Sequence, residues 1–471
     1  MISRPIKVHV ESYGCAANMA DGEAMAGLLR AAGCELAPSA READVVVVNS
    51  CTVKDRSEWD FRRRVRDLER AGKRLVIAGC IPTAHPDHDL LGRHSVVTTG
   101  GIASVTQAVR SAAGGGRAHF LDGPGAAGPE LDRVRRHDVI EIVPISQGCL
   151  AHCSFCAARL ARGDLRSFRP GGIVARVRRA VAEGAREIWL TSQDTAVYGL
   201  DLGTNVARLL EAVCAVEGRF MVRLGMGLPN YFRRFLPELL RAMAHPKVYR
   251  FLHLPLQSGS RRVLAAMKRP HSVKDVFTVA EAAREALPAL TLATDVIVGF
   301  PGETDGDFDQ TIEALRALAP AVVNRSRFSA RPGTPAAALP RLDPRAVNSR
   351  SRALSDVVEE LSAADNARWN GWLGEALLDQ QRRPGSLIAR NAAYKPIVVE
   401  ARDAARAGAA LGDRVRLRVT GYTTFHLIGS ITAANEDQQS GDSTRPLSAL
   451  PENAAKNDEN SLMGDHRSVS A

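Results

Sequence analysis

Three cysteines stand within eight residues, in the segment Gln147-Gly-Cys149-Leu-Ala-His-Cys153-Ser-Phe-Cys156. The spacing is C-x3-C-x2-C, directly after a strand-like run. Three thiolates from one loop can occupy three corners of an iron–sulfur cubane and leave the fourth iron without a protein ligand. An open metal position is what a catalytic site keeps and a structural site closes. The competing reading is zinc, but structural zinc wants four ligands. His152 lies between two of the cysteines, which makes simultaneous coordination awkward.

Three further cysteines each follow a strand-like run: Cys15 in Ser12-Tyr-Gly-Cys15-Ala-Ala-Asn18, Cys51 in Val48-Asn-Ser-Cys51, and Cys80 in Ile77-Ala-Gly-Cys80. In a parallel sheet the C-terminal strand ends share one edge, so three such thiolates can converge on one metal centre. The gaps of 36 and 29 residues are each about one βαβ step. The alternative is three buried, inert cysteines. Cys34 and Cys214 have no such setting and read as packing residues.

These sites need an α/β frame. Strand signals at Ile6–Val10, Asp44–Asn49 and Arg74–Ala78 alternate with helical spacing at Asp21–Ala32 and Glu58–Ala71. That pattern implies right-handed βαβ units in a parallel α/β domain over about residues 5–125. Asp122–Gly128 reads as a linker. Alternation resumes over about residues 136–370, with strands at Val139–Ile145, Glu187–Thr191, Phe220–Leu224, Val248–Leu254 and Leu290–Val298. About six such units fit a partial or full (β/α) barrel, whose chemistry sits at the C-terminal strand ends. Residues 371–433 change to short strands with Gly-bearing turns, an all-β mini-barrel pattern. Residues 434–471 are polar with few large apolar side chains and read as a disordered tail.

Composition sets outer bounds. The 471 residues are 45% hydrophobic and 24% charged, which excludes a chain disordered throughout. No apolar run has the length of a membrane span, and the segment from Met1 to Lys7 contains no apolar signal region, so no membrane partner and a cytoplasmic location are expected. The 62 basic and 52 acidic residues leave a net charge of +10. That excess suits either a polyanionic partner or a solvated Arg-rich surface.

At Cys149, Cys153 and Cys156 the chain resembles the radical S-adenosylmethionine (SAM) superfamily. The resemblance implies a [4Fe–4S] cluster whose open iron holds the amino and carboxylate groups of SAM, and whose electron releases a 5′-deoxyadenosyl radical. It also implies cofactor contacts from Phe155 beside the third cysteine, from Gln193 and Asp194 after a barrel strand, from Arg223 within a strand, and from the glycine-rich turn Asp295-Val-Ile-Val-Gly299-Phe-Pro-Gly302.

Residues 5–433 as a whole resemble the methylthiotransferases, which join an N-terminal cluster domain, a radical domain and a C-terminal TRAM domain. By that resemblance Cys15, Cys51 and Cys80 hold a second [4Fe–4S] cluster carrying the sulfur for transfer. A reductant such as flavodoxin or ferredoxin and a sulfur donor are then needed as partners. Leu190–Gly199, Phe251–Ser258, Ala293–Thr304 and Arg331–Pro335 look like the archaeal and eukaryotic branch acting on N6-threonylcarbamoyladenosine beside the tRNA anticodon (position 37). Position 193 is Gln where that branch commonly has Glu. The competing substrates are isopentenyladenosine tRNA and a ribosomal-protein aspartate. A non-catalytic iron–sulfur or RNA-binding protein is the reading from another class.

Two stretches fit RNA without the resemblance. Arg390-Asn-Ala-Ala-Tyr-Lys395 puts an aromatic between basic groups, and Arg414, Arg416 and Arg418 alternate along one strand. Arg62–Arg64 with Arg66 and Arg70 read equally as a basic contact surface or a solvated helix face.

Overall fold

The computed structural model describes residues 4–52, 55–121 and 128–432. They divide into two compact units, one ending at Val357 and the other starting at Val358. The expected tail at 434–471 lies outside the described residues, as does most of the linker expected at Asp122–Gly128.

The first unit begins with six parallel strands: β1 (Lys7–Ser12), β2 (Glu35–Leu36), β3 (Val45–Ser50), β4 (Arg74–Gly79), β5 (Ser95–Thr98) and β6 (His119–Phe120). Their order is β2-β1-β3-β4-β5-β6. Four helices accompany them: α1 (Ala16–Ala31), α2 (Asp55–Arg70), α3 (Cys80–Ala84) and α4 (Val105–Ala113). Val45 and Val47 face Met25, Leu29 and Val109, whereas Val46 and Val48 face Phe61, Val65 and Ile81. Both faces are covered, which is why β3 is apolar at successive positions rather than alternating. The register sets Asn49 beside Ser12 and Ser50 beside Gly79. The ends of β1, β3 and β4 are therefore level, with Cys15, Cys51 and Cys80 just beyond them.

The same unit continues with β7 (Ile140–Pro144) and a short antiparallel pair, β8 (Ser146–Gln147) and β9 (Arg166–Ser167), which brackets the cysteine loop and helix α5 (Ala158–Arg162). Next come α6 (Pro170–Ala182), β10 (Glu187–Thr191), α7 (Val206–Cys214), β11 (Met221–Leu224), β12 (Phe251–His253), β13 (Thr291–Val298) and β14 (Val322–Arg327). Strands β7, β10 and β11 form one parallel sheet, and β12, β13 and β14 another. They meet where Val222 bridges Val248 in parallel. The result is a six-stranded partial barrel. Its first strands carry α1, whose Ala16 and Ala20 pack on Ile140, Ile142 and Trp189. That contact seats the N-terminal sheet on the barrel.

In the second unit β15 (Leu373–Arg383), β16 (Ser386–Asn391), β17 (Pro396–Glu400), β18 (Arg414–Tyr422) and β19 (Leu427–Ile431) close a barrel in the order β15-β16-β17-β19-β18. Leu378, Ala389, Ile397, Val399 and Leu417 are fully buried. The fold is mixed α/β with a closed, TRAM-like β-barrel at the C-terminal end, as the sequence implies. Cys34 lies in the N-terminal core and Cys214 is buried at the end of α7, both as packing residues.

Candidate active site

The cysteine loop leaves the C-terminal end of the barrel sheet. Gly148 before it has φ +80°, and a Cβ there would lie 1.9 Å from the Asp164 carbonyl oxygen, so only glycine fits the turn. The Gly148 amide donates to Gln193 Oε1 at 2.7 Å. Gln193 thus anchors the loop from β10. Ser154 fastens the middle of the loop: its amide donates to the Met267 carbonyl and its hydroxyl to the Ala266 carbonyl. Phe155 packs against Met267 and Phe300. His152 is exposed.

Arg269 donates from Nη1 to Cys153 Sγ at 3.2 Å, while its Nε and Nη2 are buried with no hydrogen-bond partner among the described residues. Burial pushes the Cys149 thiol up to about 12, with Asp194 and the two neighbouring thiols adding to the effect. Among the described residues no three His, Cys, Asp or Glu side chains converge as ligands of a single metal ion.

The next strand ends face the same region. Asp194 Oδ1 accepts from the amides of Ala196 and Leu228, and Oδ2 is buried without a partner among the described residues. Burial pushes this carboxyl up to about 6, against those amides and the charge of Arg269. Arg223 is buried in β11, its guanidinium 5.3 Å from the Trp189 ring centroid and 5.1 Å from that of Phe251. Asp295 Oδ2 lies 3.0 Å from His253 Nε2, and Oδ1 accepts from Asn324. Burial would raise the Asp295 carboxyl, but His253 and Asn324 outweigh it and hold it low. Gly299 and Gly302 form the turn after β13, where the Gly299 amide donates to Glu303. Gln257 adopts φ +64° at the β12 end, a strained setting for a non-glycine residue.

The N-terminal cysteines each stand just past a level strand end. Gly14 has φ +98°, and a Cβ there would lie 2.3 Å from Cys51 Sγ. The residue before Cys15 therefore lies directly against the Cys51 side chain. Asn18, fully buried on α1, donates from Nδ2 to the carbonyls of Tyr13 and Asn49. Its Oδ1 lies 3.7 Å from Cys80 Sγ.

Arg162, at the end of α5, enters this group from the barrel side. Its Nη2 donates to Asn18 Oδ1 at 3.0 Å and lies 3.5 Å from Cys80 Sγ, and its Nη1 pairs with Asp21 at 2.6 Å. Arg162 is six residues past Cys156. A single short helix therefore connects one cysteine set to the other. Asn18, Asp21, Arg162, Arg269 and Asn324 carry no spacing pattern and give no sequence signal as site residues, whereas His253 and Gln257 fall in the family-like stretch Phe251–Ser258 without a role of their own there.

Residues 143–315 match the radical SAM superfamily model, and residues 7–99 match the model described as uncharacterized protein family UPF0004. A Pyrococcus horikoshii protein named "probable threonylcarbamoyladenosine tRNA methylthiotransferase" is 39% identical over 90% of this chain and 99% of its own. The Drosophila melanogaster threonylcarbamoyladenosine tRNA methylthiotransferase is 37% identical over 92% of this chain and 78% of its own. The chain belongs to the radical SAM methylthiotransferase family. A solved radical SAM methyltransferase from Kitasatospora setae shares the fold, with TM-score 0.54 and 15% identity over 71% of this chain and 77% of that one.

Membership in the radical SAM methylthiotransferases implies a [4Fe–4S] cluster and SAM, and the site residues fit them. Three thiols stand on one loop, with an unpaired buried carboxylate oxygen and a partly unpaired guanidinium beside them. No helix among the described residues is long and apolar enough to cross a membrane.

The methylthiotransferase barrel corrects one RNA expectation. Lys395 is buried and pairs with Asp365 at 2.8 Å, Arg390 pairs with Asp379 at 3.0 Å, and the guanidinium of Arg390 covers the ring of buried Tyr394. These groups hold the unit together and leave no stacking surface. Arg414, Arg416 and Arg418 do share an exposed face of β18, which ends at exposed Tyr422.

Proposed function

We propose that the chain installs a 2-methylthio group on N6-threonylcarbamoyladenosine next to the anticodon of tRNA. The observation that carries this is the pair of cysteine sets joined through Arg162 in a chain so similar to relatives bearing that name. Cys149, Cys153 and Cys156 would hold the radical cluster. Cys15, Cys51 and Cys80 would hold a second [4Fe–4S] cluster. When bound, the clusters and SAM supply a radical able to act on an unactivated C–H, and the sulfur to be transferred. The C2 carbon of adenine has no acidic proton or leaving group, so acid–base or nucleophilic chemistry has no handle on it.

The chain's own groups position and exclude. Asp194 Oδ2 would receive the amino group of SAM, and the turn Gly299–Gly302 would take its adenine against backbone. Gln193 keeps the cysteine loop in place through Gly148, and Phe155 seals it against the core. Arg223 and Asp295 line the barrel beneath. The division into residues 5–125, 136–370 and 371–433 assigns sulfur delivery, radical formation and tRNA binding in turn. A flavodoxin- or ferredoxin-like reductant and a sulfur donor complete the reaction, in the cytoplasm where tRNA is found.

The test is reconstituted enzyme with SAM, reductant and sulfide, given threonylcarbamoyladenosine tRNA, isopentenyladenosine tRNA or ribosomal protein. Product by nucleoside mass spectrometry on the first alone is expected. A pocket built for the carboxylate and hydroxyl of the threonylcarbamoyl group leaves donors unpaired with the apolar isopentenyl group, costing ~1–3 kcal/mol each. Product on isopentenyl tRNA alone overturns the substrate and leaves the reaction class standing.

A further inference from the structure

Helix α2 carries a face that the cysteine sites do not use. Trp59, Arg63, Arg66 and Arg70 fall at i, i+4, i+7 and i+11, one stripe of the helix. The opposite side, Phe61, Val65 and Leu68, is buried in the sheet core and fixes the stripe toward solvent. Trp59 is 67% exposed, more than any other large apolar side chain among the described residues.

Other arginines of α2 are engaged. Arg62 pairs with Glu58 and Asp89, Arg64 with Glu11, and Arg70 with Asp67. Arg63 and Arg66 are exposed and make no ion pair or hydrogen bond among the described residues. Single exposed apolar residues are ordinary. An indole in line with two unengaged guanidinium groups is a stacking surface with phosphate contacts beside it.

Its place is equally specific. Glu58, the residue before Trp59, accepts from Arg331 Nη1 at 3.3 Å. Arg331 follows β14, the last strand of the partial barrel. The start of α2 is thus pinned to the barrel's C-terminal rim, and the helix follows Cys51 in the chain.

We propose that this stripe is a second RNA-docking surface, in which Trp59 stacks on an unpaired base and Arg63 and Arg66 hold the flanking phosphates. It rests on the reading that the chain acts on tRNA. The occupant is a loop rather than a duplex, because only an unpaired base offers its face to an indole. Charge complementarity selects a polyanion, and the indole selects a nucleic acid among polyanions.

The test uses the full-length reconstituted chain and an anticodon stem-loop RNA, with a fully paired RNA of equal length and polyglutamate as comparisons. Of the four tryptophans, Trp189 and Trp369 are buried and Trp372 is half-buried, so acrylamide quenching reads mainly Trp59. The stem-loop should protect it, and the other two ligands should not. Trp59→Ala should weaken stem-loop binding about 10-fold. R63E/R66E should weaken it further and lower the salt slope by about two.

RNA-independent cleavage of SAM to 5′-deoxyadenosine should stay unchanged in both variants, which reports an intact radical site. R178E, on an exposed face of α6, should change neither binding nor slope. Equal stem-loop affinity in all variants, with no protection of Trp59, overturns the proposal. Protection lost on truncation after Thr432 without any RNA also overturns it, assigning the stripe to the chain's own C-terminal segment. Protection by the stem-loop without any methylthio product leaves the surface standing and removes the activity instead.

Discussion

Arg162 holds a guanidinium nitrogen 3.5 Å from the sulfur of Cys80, a residue 82 positions earlier in the chain. The contact crosses from the helix after one cysteine set to the strand end of the other. The same guanidinium neutralises buried Asp21, and its charge is strongly favoured by Asp21 and the thiols around it despite burial.

Arg162→Met leaves Asp21 buried and unpaired, a cost of about 3–5 kcal/mol. Thermal unfolding should move down accordingly. The double variant Arg162→Met, Asp21→Asn should recover most of the stability by removing the stranded charge. It should still hold about four irons per chain rather than about eight, because the N-terminal thiolates lose their neighbouring cation. Full iron content in the double variant would limit Arg162 to a role in folding.

The two cysteine sets should separate by substitution. Cys153→Ala leaves two thiols on the loop and should abolish 5′-deoxyadenosine formation while the N-terminal iron remains. Cys51→Ala should keep SAM cleavage and yield no methylthio product. Methylthio product at the normal rate from Cys51→Ala would make the N-terminal cysteines core residues.

What could be read from the sequence follows from how local each signal is. Cys149, Cys153 and Cys156 stand out because three thiols within eight residues must lie on one loop. β3 is legible because a strand covered on both faces must be apolar throughout. Arg162 gives no signal, since its meaning depends on Asn18, which lies 144 positions away. β15 carries no alternating signal because Ala376, Leu377, Leu378 and Asp379 are buried in succession, and the register shifts from Leu378 onward. Arg390, Tyr394 and Lys395 read as RNA contacts because basic and aromatic residues suit a surface and an ion-paired interior equally. Only Asp365 and Asp379, distant in sequence or on another strand, decide between the two.

The correction in the barrel has its own test. Lys395→Ala removes the partner of Asp365 from a buried position and should destabilise the C-terminal unit by about 2 kcal/mol, with little change in tRNA affinity per folded molecule. R416E/R418E should leave stability nearly constant. It should lower tRNA affinity and reduce the slope of log affinity against log salt by about two. The reverse pattern, with Lys395→Ala losing tRNA while remaining fully stable, would return RNA binding to the Arg390–Lys395 segment.

Glu23 on α1 ties the N-terminal domain to the chain entering the barrel. Its Oε1 accepts from the Arg136 amide at 3.0 Å, and its backbone carbonyl accepts from the Val134 amide. Burial pushes the carboxyl up to about 7, only partly offset by the Arg136 amide, with Glu141 adding repulsion. A carboxyl raised in the folded state binds its proton more tightly there than in the unfolded chain. Native Glu23 is therefore protonated between its unfolded value near 4.5 and about 7, and over that range stability falls as pH rises. Above about 7 the loss is complete and amounts to at most about 3 kcal/mol. Glu23→Gln keeps an acceptor for the Arg136 amide and removes the charge. It should raise the unfolding temperature at pH 8 and leave it nearly unchanged at pH 4.5, where both side chains are neutral. Stabilisation of equal size at both pH values would show that the gain comes from packing, and that the Glu23 carboxyl is not the group that titrates.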